Sequence, residues 1–116
     1  TRFVSCSESP VHAHYKQAIL TAGATGTWVL NTKSTPCIRA LKTPFTAAIH
    51  EMGLMPADAF KGIGSLYFGG DMEAAVPLTG QVAGRIDSVK PVAQILAQIR
   101  EEFFAVLGGL AHEYLD

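Results

Sequence analysis

Apolar positions recur with a helical period over much of the chain, and the longest such run lies near its end. Val92, Ile95, Leu96, Ile99, Phe103, Val106, Leu107, Leu110 and Tyr114 are spaced i, i+3/i+4, which gathers them on one face of a helix. Ser88 stands ahead of this run as a cap with Pro91 in the first turn, and Gly108-Gly109 marks a place to kink or fray. Val11, Tyr15, Ala18, Ile19 and Ala22 repeat the pattern over about residues 10–22. There Ser9 caps, Pro10 takes the first helical position, and Gly23 ends the run. Thr43-Pro44 opens another helix with Phe45, Ala48, Ile49 and Met52 on one face, and Gly53 stops it.

The period changes to two between these helices. Thr27 to Thr32 is β-branched and aromatic, and Cys37 to Leu41 alternates apolar with polar. Lys33-Ser34-Thr35-Pro36 supplies the turn, so the pair predicts a short hairpin that needs a surface to pack on. Thr1 to Ser5 reads as extended chain. A weak helix is expected from Pro56 through Phe60, Ile63 and Tyr67, where Gly62 and Gly64 each cost about 1 kcal/mol. Gly69-Gly70-Asp71 breaks it, and residues 79–86 read as a short helix after Pro77. The prediction is a mainly α chain with one short β-hairpin.

Composition narrows the function. The chain has 116 residues and 12.3 kDa, with 48% hydrophobic and only 16% charged residues, which excludes an intrinsically disordered chain. A formal charge of −1 argues against a nucleic-acid or anionic-membrane partner, since both call for a basic surface. No apolar run reaches the roughly 18 residues of a membrane span, and the start lacks a signal-peptide layout. Two cysteines, Cys6 and Cys37, make no disulfide framework, so a reducing cytoplasmic compartment is expected. A mean hydropathy of +0.23 suits a larger protein. Such values imply apolar area offered to a partner, or a piece of something bigger.

The usual carriers of chemistry are weak here. On a helix the side chains of His12 and His14 diverge by about 200°, so they are read as solvated helix polarity and no metal site is expected. His50 and His112 stand alone, Cys6 and Cys37 read as buried small hydrophobes, and Glu51, Glu101, Glu102 and Glu113 read as exposed helix charges. No nucleophile, triad or metal cluster emerges. What remains is glycine: Gly69-Gly70-Asp71-Met72-Glu73, then Thr79-Gly80-Gln81-Val82-Ala83-Gly84. Glycine crowds where backbone turns sharply or lies against something flat, and also where helices pack closely. Both readings stand on local pattern.

The order of signals resembles one family. Thr1-Arg2-Phe3, then Glu8-Ser9-Pro10-Val11-His12, is similar to the G-T-R-F strand end and E-S-P-x-H helix start of nitronate monooxygenases and the related flavin-dependent enoyl-acyl carrier protein reductases. Arg39-Ala40-Leu41-Lys42 resembles the family's R-A-x-K/R-N hairpin exit. Gly70-Asp71-Met72-Glu73 with Gly80-Gln81-Val82-Ala83-Gly84-Arg85-Ile86 resembles its G-D-x-E…G-Q-x-A-G-L-I block. Together these short motifs cover nearly the whole chain.

The resemblance implies the C-terminal portion of a (β/α)8 TIM-barrel flavoprotein, beginning after the eighth strand. Residues 1–9 would be the end of the last strand and its loop, 10–78 a small helical insertion carrying the hairpin, and 79–116 the helices that close on the barrel. It implies FMN as cofactor, with Thr1 and Arg2 toward its phosphate and Gly80 and Gln81 beside its ring. Leu78 and Thr79 would line the substrate side. Nitronate oxidisers often carry Ser where Leu78 stands, and the enoyl reductases carry an apolar residue. The implied activity is oxidation of alkyl nitronates or reduction of an enoyl thioester, with NAD(P)H a possible donor. The family's catalytic histidine lies upstream and matches none of the four histidines here, so no catalytic residue is expected in this segment. The other reading is a non-catalytic helical binding module. Either way the stripe of residues 92–114 is too broad for the rest of the chain to cover, and self-association of the isolated chain is expected.

Overall fold

The hairpin forms where the period-two pattern predicts it, in a computed structural model that describes residues 1–115. Asp116, the last residue of the expected closing segment, lies outside them. Strands β1 (Thr27–Leu30) and β2 (Ile38–Leu41) pair antiparallel, with Thr27 opposite Leu41 and Leu30 opposite Ile38. Asn31 takes a left-handed φ of 62° at the end of β1. Helix α2 (Pro44–Met52) packs behind the hairpin and follows its sequence signals closely. Thr43 caps it in a reciprocal pair with Thr46, Pro44 opens it, and Gly53 closes it at φ 75°. Its buried face is Thr46 and Ile49, while Ala48 and Met52 of the predicted stripe are exposed.

Helix α1 (Ala13–Thr21) begins later than predicted. The Ser9-Pro10 start is not used, because His12 caps the helix: its N–H donates to the Tyr67 carbonyl at 2.6 Å and its imidazole accepts from His14 N–H. A tertiary bond to another element thus overrides the local signal. Thr1 to Ser5 is a helical turn instead of extended chain, closed by Ser5 N–H on the Thr1 carbonyl at 3.1 Å. The weak helix after Pro56 contracts to α3 (Ile63–Tyr67), preceded by turns. The predicted helix at 79–86 is a 3₁₀ turn, Gln81–Arg85.

Two apolar clusters form the core. Tyr15, Ile19, Leu41, Leu66, Ala83 and Ile86 make one, and Leu30, Ala40, Ile49, Ala59 and Val76 the other. The 3₁₀ turn meets α1 so closely that a Cβ on Gly84 would run into the Gly23 carbonyl. Glycine is therefore required at Gly84 by space, not by its dihedrals.

Helix α4 (Val92–Leu115) stands apart from both clusters. Its start is held by long-range contacts: the Glu8 carboxylate, 84 positions earlier, accepts Val92 N–H at 2.7 Å. Ser7 N–H donates to the Lys90 carbonyl at 3.0 Å. Ser88 does not cap the helix; its hydroxyl bonds Asp87. Beyond Ile95, which is buried, the apolar stripe is open, with Ile99 51% and Phe103 61% exposed. The accessible surface is 7258 Å2, against about 6,100 Å2 for a compact monomer of this mass. The radius of gyration is 17.3 Å, against about 13 Å for a globule of this length. Both differences come from a 24-residue helix laid out with little beneath it. No helix of the described residues is long and apolar enough to cross a membrane.

Two outcomes follow from this packing. Gly84→Ala lowers stability by about 1–3 kcal/mol, read as a fall in the urea midpoint, whereas Gly64→Ala, whose Cβ meets open space, leaves it unchanged or slightly raised. The isolated chain self-associates through α4 or binds apolar dye; a monodisperse monomer in sedimentation with no dye binding would contradict that.

Candidate functional site

The site forms where the chain's first turn meets the segment after Pro77. Pro77 is fully buried, and residues 77–79 lie along the open edge of β2. The Pro77 carbonyl accepts Leu41 N–H at 3.0 Å, and Thr79 N–H donates to the Arg39 carbonyl at 3.2 Å. Leu78 bridges Ala40 antiparallel between them. The segment acts as a one-bridge third strand, which fixes its direction and register.

Thr1, Thr79 and Gly80 are brought together. The Thr1 hydroxyl accepts Gly80 N–H at 2.8 Å and lies 3.3 Å from the Thr79 hydroxyl. A Cβ on Gly80 would meet the Thr1 hydroxyl first, so glycine keeps this approach open. Arg2 turns the other way: its Nη1 donates to the Ser88 carbonyl at 2.6 Å, tying the first turn to the lead-in of α4. Gln81 opens the 3₁₀ turn and is exposed. Leu78, 37% exposed, presents an apolar side chain beside this junction.

Two tyrosines that the sequence offered only as apolar-face positions complete the site. The Tyr15 hydroxyl donates to the Leu78 carbonyl, and the Tyr67 hydroxyl accepts Leu78 N–H at 3.0 Å. Their rings meet edge to face with centroids 4.9 Å apart. Burial pushes the Tyr15 phenol well above its ordinary range, and the neighbouring Tyr67 adds to the shift. Burial also raises Tyr67, against the opposing bonds from Leu78 and Tyr15. Periodicity signals that a tyrosine is buried, but it carries no signal for the partner of its hydroxyl.

The remaining candidates fall outside this site. His12 and His14 do not diverge as two helical residues would, because His12 lies outside the helix as its cap. Their rings pack 4.5 Å apart, and His14 Nδ1 sits 3.0 Å from the Gly70 carbonyl. His14 is exposed on α1, as its reading as solvated helix polarity has it, whereas His12 is half-buried as the helix cap. His50 stacks on Trp28 at 4.3 Å and faces the Val29 carbonyl, and His112 lies in the last turn of α4. Cys6 is buried, but Cys37 is exposed at the hairpin turn, contrary to its reading as a core residue. Glu51, Glu101, Glu102 and Glu113 are exposed. Among the described residues no three His, Cys, Asp or Glu side chains gather for a metal.

Comparison with known proteins gives the same order of segments. The model of the family described as nitronate monooxygenase matches residues 1–102. The chain is similar to the structure of FabK from Thermotoga maritima, at 38% identity and a TM-score of 0.84, over 97% of this chain and 38% of that one. It is similar also to the M276A mutant of the same protein, at 34% identity and a TM-score of 0.82, over 97% of this chain and 35% of that one. The chain therefore spans a little over a third of the length of these structures. No curated protein matches it.

The tyrosine pair sets an alkaline limit. Each phenol has a folded pKa above its ordinary value of 10.0, so the fold binds these protons more tightly than the unfolded chain does. That contribution is intact below pH 10 and is lost as pH rises beyond it. Urea midpoints measured from pH 8 to 11 fall at the alkaline end, and Tyr15→Phe, though less stable at pH 8, shows a shallower decline.

Proposed function

The chain belongs to the nitronate monooxygenase family, and from that premise we propose that it is the flavin-facing C-terminal segment of a (β/α)8 FMN-dependent oxidoreductase. The substrate is an enoyl thioester in preference to an alkyl nitronate, reduced with electrons from NAD(P)H. The observation that carries this reading is the junction of Thr1, Thr79 and Gly80, with Leu78 held beside it.

The residues present fit a phosphorylated, flat cofactor. A helical turn leaves its first N–H groups as donors for something outside it, and the turn at Thr1–Ser5 is of this kind. Arg2 ties this turn to the Ser88 carbonyl and so holds its N–H groups in place. Gly80 offers a face without a side chain for a ring. When bound, the flavin supplies the hydride chemistry; the protein positions and tunes it. Thr1 and the backbone of its turn bind and orient the phosphate end, and Arg2 holds that turn in place through Ser88. Gly80 and Gln81 bound the ring, and Leu78 with Thr79 shapes the substrate side. Leu78 keeps water from the reacting carbon and offers an acyl chain apolar contact, where a serine would offer a hydroxyl suited to a polar nitronate. The proton donor in this reading lies upstream of Thr1.

The test uses the full-length protein that carries this segment. It is expected to purify yellow, to release FMN on denaturation, and to reduce an enoyl thioester with NAD(P)H faster than it oxidises alkyl nitronates. Leu78→Ser lowers thioester kcat/KM by about tenfold. Residues 1–116 alone bind FMN more weakly than micromolar by fluorescence titration. A colourless full-length protein would sink the flavin reading, and the reverse order of activities would reject the enoyl preference.

A further inference from the structure

Residues 77–79 have two edges, and they are satisfied in different ways. One edge pairs with β2 through Pro77 and Thr79. The other carries the N–H and carbonyl of Leu78, which a further strand would normally meet. No strand lies there among the described residues, and the two phenol hydroxyls take its place, with Tyr15 donating and Tyr67 accepting. The pairing is complementary: each hydroxyl meets the backbone group whose role is opposite to its own. The phenols are themselves fixed, since they come from different helices, α1 and α3, and pack edge to face.

We infer that Tyr15 and Tyr67 are positioning residues that lock the Leu78 backbone, and through it set where the Leu78 side chain meets the acyl part of the substrate. This rests on the reading of the site given above. The lock has a mechanical reason. The next residue but one is Gly80, whose backbone pivots easily, and the 3₁₀ turn beyond it is short. Pro77 and Thr79 hold the direction of the segment, but their bonds lie on one edge only. Each peptide group flanking Leu78 is bonded to β2 at one end, through the Pro77 carbonyl or the Thr79 N–H, and the tyrosines hold the other end, so that each plane is pinned at two points and not left to tilt about one. With its N–H and carbonyl fixed in the plane of the sheet, the Leu78 side chain stands out of that plane toward one side. Tyr15 keeps its proton, and so remains a donor, throughout the range where an enzyme works.

The test is Tyr15→Phe and Tyr67→Phe in the flavin-loaded full-length protein, with two readouts. In turnover, KM for an enoyl thioester rises about fivefold, the size of one lost hydrogen bond. Flavin content and the rate of flavin reduction by NAD(P)H stay at the unmodified values. A merely structural role would lower both half-reactions and flavin content together, and that result, or no change in KM, overturns the inference. In the flavin-free protein, amide exchange is followed by NMR. The Leu78 amide exchanges about tenfold faster in Tyr67→Phe, while amides of the buried residues Ile19 and Leu66 are unmoved and report an intact fold. An unchanged Leu78 amide removes the lock whatever the enzyme does. A fast Leu78 amide in a protein that turns over no thioester even unmodified refutes the substrate assignment and the specificity role with it, and upholds the lock alone.

Discussion

Buried backbone must find partners for its polar groups, and in this chain that requirement falls hardest on residues 75–79. Ala75 belongs to the cluster built on Tyr15, Ile19 and Leu66, and Val76 to the one built on Leu30, Ile49 and Ala59. The strip is thus the seam between the two cores. Its partners come from everywhere: Val76 N–H donates to the Ala59 carbonyl, Pro77 and Thr79 pair with β2, and Leu78 is held by α1 and α3. A two-stranded hairpin has little stability of its own; this one gains a third edge and a helix behind it. The site sits at the end of the strip, so its geometry inherits the rigidity of both cores.

Elements whose signals are local were legible in the sequence. The hairpin, the Thr43-Pro44 start of α2 and its Gly53 stop depend on residues within a few positions of one another, and they stand where the pattern puts them. Elements decided by distant partners were not. Ser9-Pro10 is a sound helix start, yet the bond from His12 to Tyr67 moves the start of α1 to Ala13. The cap of α4 is a carboxylate from Glu8 and not the nearby Ser88. The site divides the same way. The contact of Thr1 with Thr79 and Gly80 was not foreseen, because nothing in local spacing joins residues that lie 78 and 79 positions apart, and the family resemblance assigned them only to different parts of a cofactor site. The tyrosine lock left no trace beyond apolar periodicity, which registers the ring and is blind to the hydroxyl.

The last element shows the limit of the opposite kind, a pattern that is plain but incomplete without its surroundings. Hydrophobic periodicity correctly sets α4 as a long helix, but most of its apolar stripe is left uncovered by the described residues. A burial of this breadth is worth about 1.5–3 kcal/mol for each large side chain, so the helix has much to gain from cover. The chain spans only a little over a third of the FabK structures it resembles, and under the proposed reading the rest of a barrel would supply that cover.

Helix α4 and the site are mechanically joined. Arg2 grips the Ser88 carbonyl, Ser7 the Lys90 carbonyl, and Glu8 the first N–H of α4. The residues that anchor the helix are therefore the immediate neighbours of Thr1, whose hydroxyl holds Gly80. The lead-in of α4 holds the first turn of the chain from one side, while the 77–79 strip holds Gly80 from the other. The junction at Thr1 thus stands between two anchors, the lead-in of α4 and the 77–79 strip. A corner built this way gains its order from segments far apart in sequence, because residues 1–8, the 77–79 strip and the start of α4 each supply one side of it.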